Sequence, residues 1–401
     1  MVFFKNISKH ILNNIRYISV FIFFFALFIG GKFVVWSLLF LILNFFYEII
    51  KNKITFRKNK ALFLMFLLYL IHILSVLYSV NKDVANFDLQ VKLSLFIFPL
   101  FFIFIKKTIL FDVKKITNIY IISAFIISIA LIINLAHNYF INKQMLYYTE
   151  YSTFLHPSYF ALYIDLGIVM AISAIAQNNK HKILYWIAIA LFLVNIFFTD
   201  AKSGYIASIL ILVYIIVFFG LKKSKYITIT TVIILSIVSF FILKSNPRFK
   251  TTFDILSKYE NVLKHPENKN SSTSMRILAW NASSELIKNN LIFGVGSGDI
   301  KTELNKKYNE LNYKYLAKYN LNSHNQFLET WLGQGLIGFI LLLLIFIIPF
   351  ISAIKHKNIV LQAFLLLMFI NFLFESMLNT QAGTIFFGFF YSFLVVVNNE
   401  E

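Results

Sequence analysis

The chain has 401 residues, of which 59% are hydrophobic and 14% are charged, and phenylalanine alone occurs 48 times. These proportions lie far outside the range of soluble globular proteins, so the composition excludes a soluble domain. The net charge of +19 would suggest nucleic-acid binding in a soluble protein, but here it has to be read against the apolar segments. The absence of cysteine from the sequence excludes disulfide bonds, a thiol nucleophile and a cysteine metal site.

Apolar segments of membrane-spanning length recur along nearly the whole chain. A helix needs about 20 residues to cross the hydrocarbon core of a bilayer, and it satisfies its own backbone hydrogen bonds there. The amino-terminal apolar run is too long for a removable signal peptide, so we expect it to form the first span. The sequence predicts twelve spans, near residues 17–31, 33–50, 61–80, 91–105, 116–136, 156–176, 183–199, 202–221, 226–243, 325–353, 358–376 and 381–397.

The basic residues between these spans are distributed unequally. With a cytoplasmic amino terminus, nineteen lysines and arginines lie in segments on the cytoplasmic side and five lie in short loops on the other side. This asymmetry is the positive-inside signal, and with an even number of spans it predicts that both termini are cytoplasmic. The segment 244–324 then lies outside and carries the other thirteen basic residues. Because the charge follows the membrane topology, we expect no nucleic-acid partner.

Polar residues are few in the first five spans, and the first site candidate comes with the sixth. His156 opens that span after a polar and aromatic outer loop at 137–155. It faces the same side of the membrane as His324, discussed below, so it is a candidate ligand, with helix capping as the alternative.

Spans seven and eight are joined by a very short charged turn that contains Asp200 and Lys202. A pair between the two, or a lysine that extends to the membrane surface, is the simplest interpretation of this turn.

The segment 244–324 is too long to be an unstructured loop in a compact protein. We expect short helices on the outer membrane face, one of them in SSTSMRILAWNASSELIKN, where apolar residues recur at helical spacing. Arg276 and Trp280 are four residues apart and would share one face of this helix. The glycine-rich stretch from Gly294 to Asp299 follows and predicts a flexible turn; without a preceding strand it does not indicate a dinucleotide site.

Polar sequence gives way to an apolar run in HNQFLETWLGQGLIG, from His324 to Gly338. If this stretch were helical from its first residue, Gly335 and Gly338 would return to within about 40° of the direction of His324. Glycines on one face allow a neighbouring membrane helix to approach closely. An ionisable group at the edge of a packed bundle is a functional candidate, and a histidine that only caps a helix is the alternative.

The order His324, Asn325, nine residues, Gly335, two residues and Gly338 resembles the signature of the O-antigen ligase and O-antigen polymerase superfamily. Members of this superfamily are bacterial membrane glycosyltransferases that use glycans linked to a polyprenyl diphosphate.

Two further patterns extend the resemblance from about the seventh span to the twelfth. An arginine, three residues and a tryptophan, followed by a Gly-x-Gly turn, precede the histidine as Arg276, Trp280 and Gly294. The turn between spans seven and eight commonly reads Ser-Arg in the family, and Lys202 occupies the arginine position here. Lysine binds a phosphate as a point charge without the planar fork of guanidinium, so this departure leaves open whether Lys202 replaces the arginine.

The resemblance implies an all-α, GT-C-like membrane protein of about twelve transmembrane helices, with a large helical extracytoplasmic loop between helices nine and ten. Its parts would be transmembrane helices one to nine at 1–243, a periplasmic catalytic loop at 244–324, and helices ten to twelve with a short cytoplasmic tail at 325–401. The implied location is the bacterial inner membrane, with the active site on the periplasmic side.

The resemblance also implies roles for individual residues. His324 would be the catalytic base at the attacking hydroxyl, and Arg276 would stabilise the charge that develops on the diphosphate. The expected substrate-binding residues are Lys202, Asn325, Trp280 and His156. Glu375, near the outer turn before the last span, is interpreted as positioning a glycan or bonding the local backbone rather than as catalytic.

The implied reaction moves a glycan from a polyprenyl diphosphate carrier to a sugar hydroxyl. The carrier is held in the membrane lipid. Ligation to lipid A core is favoured, with polymerisation of repeat units as an alternative that the sequence does not separate. No cofactor is expected because the donor is already activated. No metal is expected because the sequence has no Asp-x-Asp pair, no Walker loop and no clustered histidine ligands.

An alternative of another class is a lipid-linked glycan flippase or other transporter. Such a protein would scatter ionisable residues through mid-membrane positions and often shows two related halves. The sequence instead concentrates its polar residues in one outer segment and at helix ends, which favours the enzyme.

Overall fold

The computed structural model describes residues 2–51, 56–104, 112–177, 181–221, 224–266 and 271–398. These residues form α-helices and short 3₁₀ turns, and no strand occurs among them, which confirms the all-α prediction. The helices are α1 (Val2–Ile29), α2 (Gly31–Lys51), α3 (Lys60–Tyr78), α4 (Lys82–Lys92), α5 (Ser94–Phe104), α6 (Val113–Asn142), α7 (Pro157–Ala176), α8 (Lys182–Thr199), α9 (Lys202–Gly220), α10 (Lys225–Ser245), α11 (Pro247–Ser257), α12 (Tyr259–Lys264), α13 (Ser272–Asn289), α14 (Ile300–Glu310), α15 (Lys314–Tyr319), α16 (Gln326–Lys355), α17 (Ile359–Phe374) and α18 (Gln381–Asn398).

Within the described residues, eight segments are long and apolar enough to cross a membrane, which makes the chain a polytopic membrane protein. They are Lys60–Tyr78, Lys82–Phe104, Val113–Asn142, Pro157–Ala176, Lys182–Thr199, Lys202–Gly220, Gln326–Lys355 and Gln381–Asn398. Four shorter apolar helices coincide with the other predicted spans: Ile15–Ile29, Gly31–Tyr47, Lys225–Ile237 and Ile359–Phe374. The count of twelve stays a prediction.

The fourth span differs from its prediction at its outer end. The sequence predicted a start near residue 91, but helical structure begins at Lys82 and is interrupted at Leu93, between α4 and α5. The side chain of Asn81 caps α4 by accepting a hydrogen bond from the Val84 N–H. The charged residues of α4 lower its hydropathy, so a hydropathy-based prediction misses this helix. In the structure two of them, Lys92 and Asp88, form an ion pair.

The centre of the bundle is formed by α18 and α7, of which 89% and 78% are buried within the protein. Aromatic rings fill much of this core: Phe390 stacks on Phe24, and Tyr163 stacks on Phe386 at a centroid distance of 4.2 Å. Such pairs stabilise a core beyond the effect of buried area alone. Because α7 and α18 are the most enclosed helices, residues at their ends are held in fixed positions.

Among the ionisable residues buried inside the bundle are His72 and Asp165. The His72 ring Nδ1 is 2.8 Å from the Leu68 carbonyl oxygen, the local backbone partner expected of a lone membrane histidine. Asp165, fully buried on α7, accepts a hydrogen bond of 2.6 Å from the Ser208 hydroxyl of α9. The sequence analysis did not single out Asp165. The bond joins the two helices below the ends that carry His156 and Lys202.

Helices α11 to α15 connect α10 to α16 and share a second hydrophobic core with the start of α16. On α13, Ile277, Leu278 and Leu286 are buried in it, and Leu332 contributes from α16. The side chain of Ser271 caps α13 by accepting from the Ser274 N–H. The helix predicted within SSTSMRILAWNASSELIKN is therefore present over Ser272–Asn289.

Helix α16 is broken at Gly335, which adopts φ +66° and ψ −164°. The helix begins at Gln326, so His324 lies before it in a left-handed turn with φ +48°. The predicted helical face that would carry His324 together with Gly335 and Gly338 is therefore wrong. The reason is local: the Asn325 side chain caps the helix one residue after His324, and the glycine conformation interrupts the helical period.

Candidate functional site

The turn that carries His324 is fixed by its neighbours on both sides. Asn325 Oδ1 accepts hydrogen bonds from the N–H groups of Phe327 at 2.9 Å and Leu328 at 3.1 Å, which caps α16. The His324 N–H donates to Asn322 Oδ1 at 3.0 Å. A non-glycine residue with positive φ is uncommon, and here both neighbouring asparagines support that conformation.

Glu329 anchors the same turn from inside α16. Its carboxylate accepts hydrogen bonds from the Ser323 N–H at 3.1 Å and the Ser323 hydroxyl at 2.5 Å. The other carboxylate oxygen accepts from Asn379 Nδ2 at 2.7 Å, in the turn before α18. Because Glu329 is buried, these contacts hold the histidine turn against the central helix and fix where the imidazole points.

The imidazole of His324 contacts the carboxylate of Glu375, the residue at the end of α17. His324 Nδ1 is 3.1 Å from Glu375 Oε2, and Arg276 Nη2 is 2.5 Å from Glu375 Oε1. Arg276 Nε also donates to the Phe374 carbonyl oxygen at 3.0 Å. The two residues predicted to be catalytic are thus brought together by a carboxylate that the sequence analysis did not assign to catalysis.

Electrostatics keep this carboxylate ionised. Burial raises the pKa of Glu375, but the hydrogen bond from His324 and the charges of Arg276, His324 and His156 outweigh it, so the pKa is lowered overall. An ionised Glu375 favours the imidazole tautomer with its proton on Nδ1, which leaves the lone pair on Nε2. Nε2 forms no hydrogen bond within the described residues, so it can accept a proton from a ligand.

Lys202 reaches the start of the same helix that carries Arg276. Its Nζ donates to the Thr273 hydroxyl at 3.1 Å and to the Ser272 hydroxyl at 3.4 Å. Arg276 Nη1 is 3.4 Å from the carbonyl oxygen of Ser272. Lys202 and Arg276 therefore both contact Ser272, and two cations lie side by side at this end of α13.

One interpretation of the sequence was a pair between Asp200 and Lys202. In the structure Asp200 pairs with Arg248 instead. Arg248 Nη1 is 3.2 Å from Asp200 Oδ2 and 2.5 Å from the Asp200 carbonyl oxygen. The Arg248 guanidinium also lies over the ring of Tyr148, 4.2 Å from its centroid. The sequence does not reveal this contact, because Arg248 is 48 residues from Asp200 and belongs to no recognisable motif.

His156 also lies in this group of residues, next to Tyr148. Its ring meets that of Tyr148 edge to face at a centroid distance of 5.9 Å, and it is close enough to interact electrostatically with Glu375, Arg276 and His324. His156 also precedes the first residue of α7, where Nδ1 is 3.4 Å from the Ser158 N–H. Both roles considered for His156, a site residue and a helix cap, are therefore compatible with its position.

Two predicted substrate ligands differ in the capacity that remains for a bound molecule. Asn325 uses its side-chain oxygen to cap α16, so only Nδ2 remains for a ligand. Trp280 follows Arg276 by one turn of α13, and its buried Nε1 has no hydrogen-bond partner in the part of the chain that the structure describes. An unpaired buried indole N–H is unusual and is suited to a polar group of a bound molecule.

The sequence predicted a flexible turn at 294–299. In the structure hydrogen bonds anchor this turn to its surroundings. The Val295 N–H donates to the Leu332 carbonyl oxygen at 2.7 Å, beside the break in α16. Asp299 accepts hydrogen bonds from the Val80 and Asn81 N–H groups at 2.6 and 2.9 Å, in the corner between α3 and α4. The turn thus joins the second core to the bundle, and its glycines serve close backbone packing.

Three residues of the site were not assigned to it from the sequence, namely Glu375, Glu329 and Arg248. Glu375 was noticed as an acidic residue near an outer turn, but its partners are 99 and 51 residues away in the chain. The sequence offered one signal for Glu329, which is its position five residues after His324 of the motif. No local pattern marks Arg248.

Comparison with known proteins gives two findings. Residues 187–343 match a protein-family model described as O-antigen ligase, a segment that contains Lys202, Arg276 and His324. An uncharacterized protein of Haemophilus influenzae is 40% identical over 94 residues. That alignment spans 23% of this chain and 23% of the relative. The match over residues 187–343 supports the O-antigen ligase superfamily, which the histidine motif also indicated.

Proposed function

We propose that this protein is a membrane glycosyltransferase that moves a glycan from a polyprenyl diphosphate carrier to a sugar hydroxyl, as an O-antigen ligase with lipid A core as its acceptor. The family match supports the broader class, O-antigen ligase or polymerase. The observation that carries the proposal is the contact of Glu375 with both His324 and Arg276.

In this proposal His324 is the general base. The acceptor hydroxyl donates its proton to Nε2, its oxygen forms a bond to the anomeric carbon of the donor, and the bond from that carbon to the diphosphate oxygen breaks. Glu375 holds the Nδ1 proton and stabilises the imidazolium that forms. A positioned base of this kind typically contributes about 10² to 10⁴ in rate.

The diphosphate leaving group carries negative charge, and the cations support its binding. Lys202, Arg248 and Arg276 carry three positive charges, against which Asp200 and Glu375 carry two negative charges. With neutral histidines the group has an excess of one positive charge before donor binds. Arg276 retains N–H groups beyond its three hydrogen bonds to protein, so it can still contact a phosphate oxygen.

We propose that the reaction needs no metal and no cofactor, and that it takes place on the periplasmic side of the bacterial inner membrane. The extramembrane helices α11 to α15 would form the periplasmic catalytic part. Purified protein with a lipid-linked glycan donor should keep its rate when EDTA is added. A loss of turnover in EDTA that added Mg²⁺ restores would contradict the metal-independent reaction.

The experiment that tests the function is surface-glycan profiling of a deletion strain complemented with variants. We compare wild type, His324→Ala, Arg276→Ala and, as a control, Lys306→Ala on the exposed surface of α14, with each protein quantified in the membrane. Ligase function predicts that deletion leaves lipid A core without glycan while polymer accumulates on the carrier. Wild type and Lys306→Ala should restore the attachment, and the two site variants should not.

Two other outcomes would redirect the assignment. If single repeat units remain attached to lipid A core in the deletion strain, the protein is a repeat-unit polymerase. If His324→Ala and Arg276→Ala both complement fully, the proposed site is wrong and a transporter of lipid-linked glycans becomes the leading function.

A further inference from the structure

A cavity of about 480 Å³ lies at the end of the bundle opposite the His324 site. It is enclosed by α6, α7, α17 and α18, at the ends of these helices marked by Lys114, Gln177, Asn358 and Val397. Helix α7 begins beside His156 and α17 ends beside Glu375, so the cavity and the site are at opposite ends of shared helices. The proposed reaction uses no residue of this cavity.

The mouth of the cavity is positively charged. Lys114 and Lys357 line it, and neither side chain forms an ion pair within the described part of the chain. Asp112, the nearest carboxylate along α6, is not among the lining residues and accepts a hydrogen bond from the Lys114 backbone N–H. Within the residues that the structure describes, no acidic side chain pairs with either lysine, which favours an anionic ligand.

The inner wall of the cavity contains an apolar part, beside polar lining residues such as Asn118 and Ser173. Met170, Phe393 and Leu394 line it, and each is almost completely buried in the bundle. A charged rim above an apolar wall fits an amphiphile and suits a small hydrophilic anion poorly, because such an anion gains nothing from apolar contact.

An apolar groove of about 280 Å³ adjoins this cavity between α6 and α8. Asn118 lines both, and it accepts a hydrogen bond of 2.7 Å from the Tyr185 hydroxyl at the boundary. The groove is lined mainly by Ile121, Ile122 and Leu184, of which Ile122 and Leu184 are exposed on the outer surface of the bundle. A cavity with a charged mouth beside an apolar groove matches the chemistry of the two parts of a glycerophospholipid, its headgroup and an acyl chain.

We propose that this cavity and groove bind an anionic glycerophospholipid, with its phosphate between Lys114 and Lys357 and an acyl chain between α6 and α8. The charge distribution of the sequence directs this end of the bundle to the cytoplasmic leaflet, where basic residues attract anionic lipids. The lipid would tie the inner ends of α6, α7, α17 and α18 together, and the proposal does not depend on which glycan the protein transfers.

The test measures lipid retention by native mass spectrometry of the purified full-length protein. The probes are phosphatidylglycerol and phosphatidylcholine of the same chain length, added at equal concentration. The site variant is Lys114→Gln/Lys357→Gln. The control variant is Lys115→Gln/Lys355→Gln, which removes the same charge from neighbouring lysines that do not line the cavity.

Wild type and control should retain phosphatidylglycerol in preference to phosphatidylcholine. The site variant should bind phosphatidylglycerol on the order of twentyfold more weakly, since each lysine near a membrane surface contributes about fivefold. Equal losses in both variants would show general surface charge and overturn the proposal, as would equal retention of the two lipids.

A second variant tests the groove without changing charge. Ile122→Trp fills the groove from its exposed side and should weaken phosphatidylglycerol binding while the protein remains in the membrane with wild-type transfer activity. Competition by soluble glycerol phosphate tests the source of the anion. Displacement of phosphatidylglycerol at equal concentration would indicate a free phosphate site and overturn the assignment to a lipid.

Discussion

At the scale of single residues, the site depends on one carboxylate shared by two functional groups. One carboxylate oxygen of Glu375 contacts His324 and the other accepts a hydrogen bond from Arg276, so a change at Glu375 affects both residues. Glu375→Gln keeps the size of the side chain and removes its charge. We expect the transfer rate to fall by about 10² or more, because the imidazole loses the partner that selects its tautomer.

The measurement is the initial rate of glycan transfer by purified protein, with Glu303→Gln as control. Glu303 pairs with Lys306 on the exposed surface of α14, and its loss should leave the rate unchanged. Glu375→Asp, which keeps the charge on a shorter side chain, should recover part of the activity. Wild-type rates for Glu375→Gln would show that Glu375 does not act on His324.

The lowered pKa of Glu375 also predicts a pH dependence of stability. A carboxylate whose folded pKa lies below its ordinary value of 4.5 stabilises the fold fully above that value. This contribution is lost as the pH falls through the folded pKa. The melting temperature of wild type should therefore fall more steeply below about pH 5 than that of Glu375→Gln, which should already be lower at pH 7.

Thermal unfolding in detergent between pH 3 and 8, followed by intrinsic fluorescence, tests this dependence. Parallel curves for the two proteins across that range would mean that ionisation of Glu375 does not contribute to the pH dependence of stability.

How much of the site was predictable depends on the kind of residue. His324 and Arg276 lie in patterns that can be read locally, and both lie at the site. Glu375 could be noticed but not assigned, because its role comes from a contact across 99 residues of chain. Arg248 was missed for the same reason: its contact with Asp200 depends on how α11 returns to the turn between α8 and α9, which no local pattern specifies.

At the scale of helices, hydrophobic length predicted the membrane segments well, and the finer detail of α16 poorly. The apolar run from residue 325 indicated one helix, whereas the structure breaks it at Gly335. Glycine was read as a contact surface for a neighbouring helix. Its other property, access to positive φ, decides the structure here.

This break predicts different costs for two glycine substitutions. Gly335 and Gly31 both have positive φ, at +66° and +60°, but a Cβ at Gly335 would clash with the backbone of Ile292 and Phe293, whereas none would be met within 4 Å at Gly31. Gly335→Ala should destabilise the protein by about 3 kcal/mol or more, since strain and overlap combine. Gly31→Ala should cost only about 1 kcal/mol.

Melting temperatures of the two variants in the same detergent provide the comparison. If Gly31→Ala lowers the melting temperature as much as Gly335→Ala, the contact with Ile292 is not the cause of the loss.

At the scale of the whole molecule, the charge asymmetry predicts the orientation in the membrane. The all-α polytopic architecture was accessible from composition, because long apolar segments have few alternatives in lipid. The orientation remains a prediction. It can be tested directly because the sequence contains no cysteine, so single cysteines introduced at chosen positions are the only reactive thiols.

We expect Lys306→Cys on α14 to react with a membrane-impermeant maleimide in cells whose outer membrane alone has been permeabilised. Lys357→Cys, at the opposite end of the bundle, should react only after the inner membrane is also opened. The reverse pattern would place α11 to α15 in the cytoplasm and exclude a periplasmic reaction. Equal labelling of both positions in intact inner membranes would contradict a membrane-spanning bundle between them.

The break in α16 also has a mechanical consequence. Three backbone hydrogen bonds cross it: from Val295 and Gly296 to the carbonyl oxygens of Leu332 and Gly333, and from Leu336 to that of Leu291. A broken helix usually bends at the break, but here hydrogen bonds to the adjoining chain restrict this bending. The short helical start of α16 and the segment after α13 should therefore move together as one rigid unit. If the proposed lipid-linked donor enters through an opening in the bundle, we expect that opening to arise elsewhere, while the turn bearing His324 keeps its position.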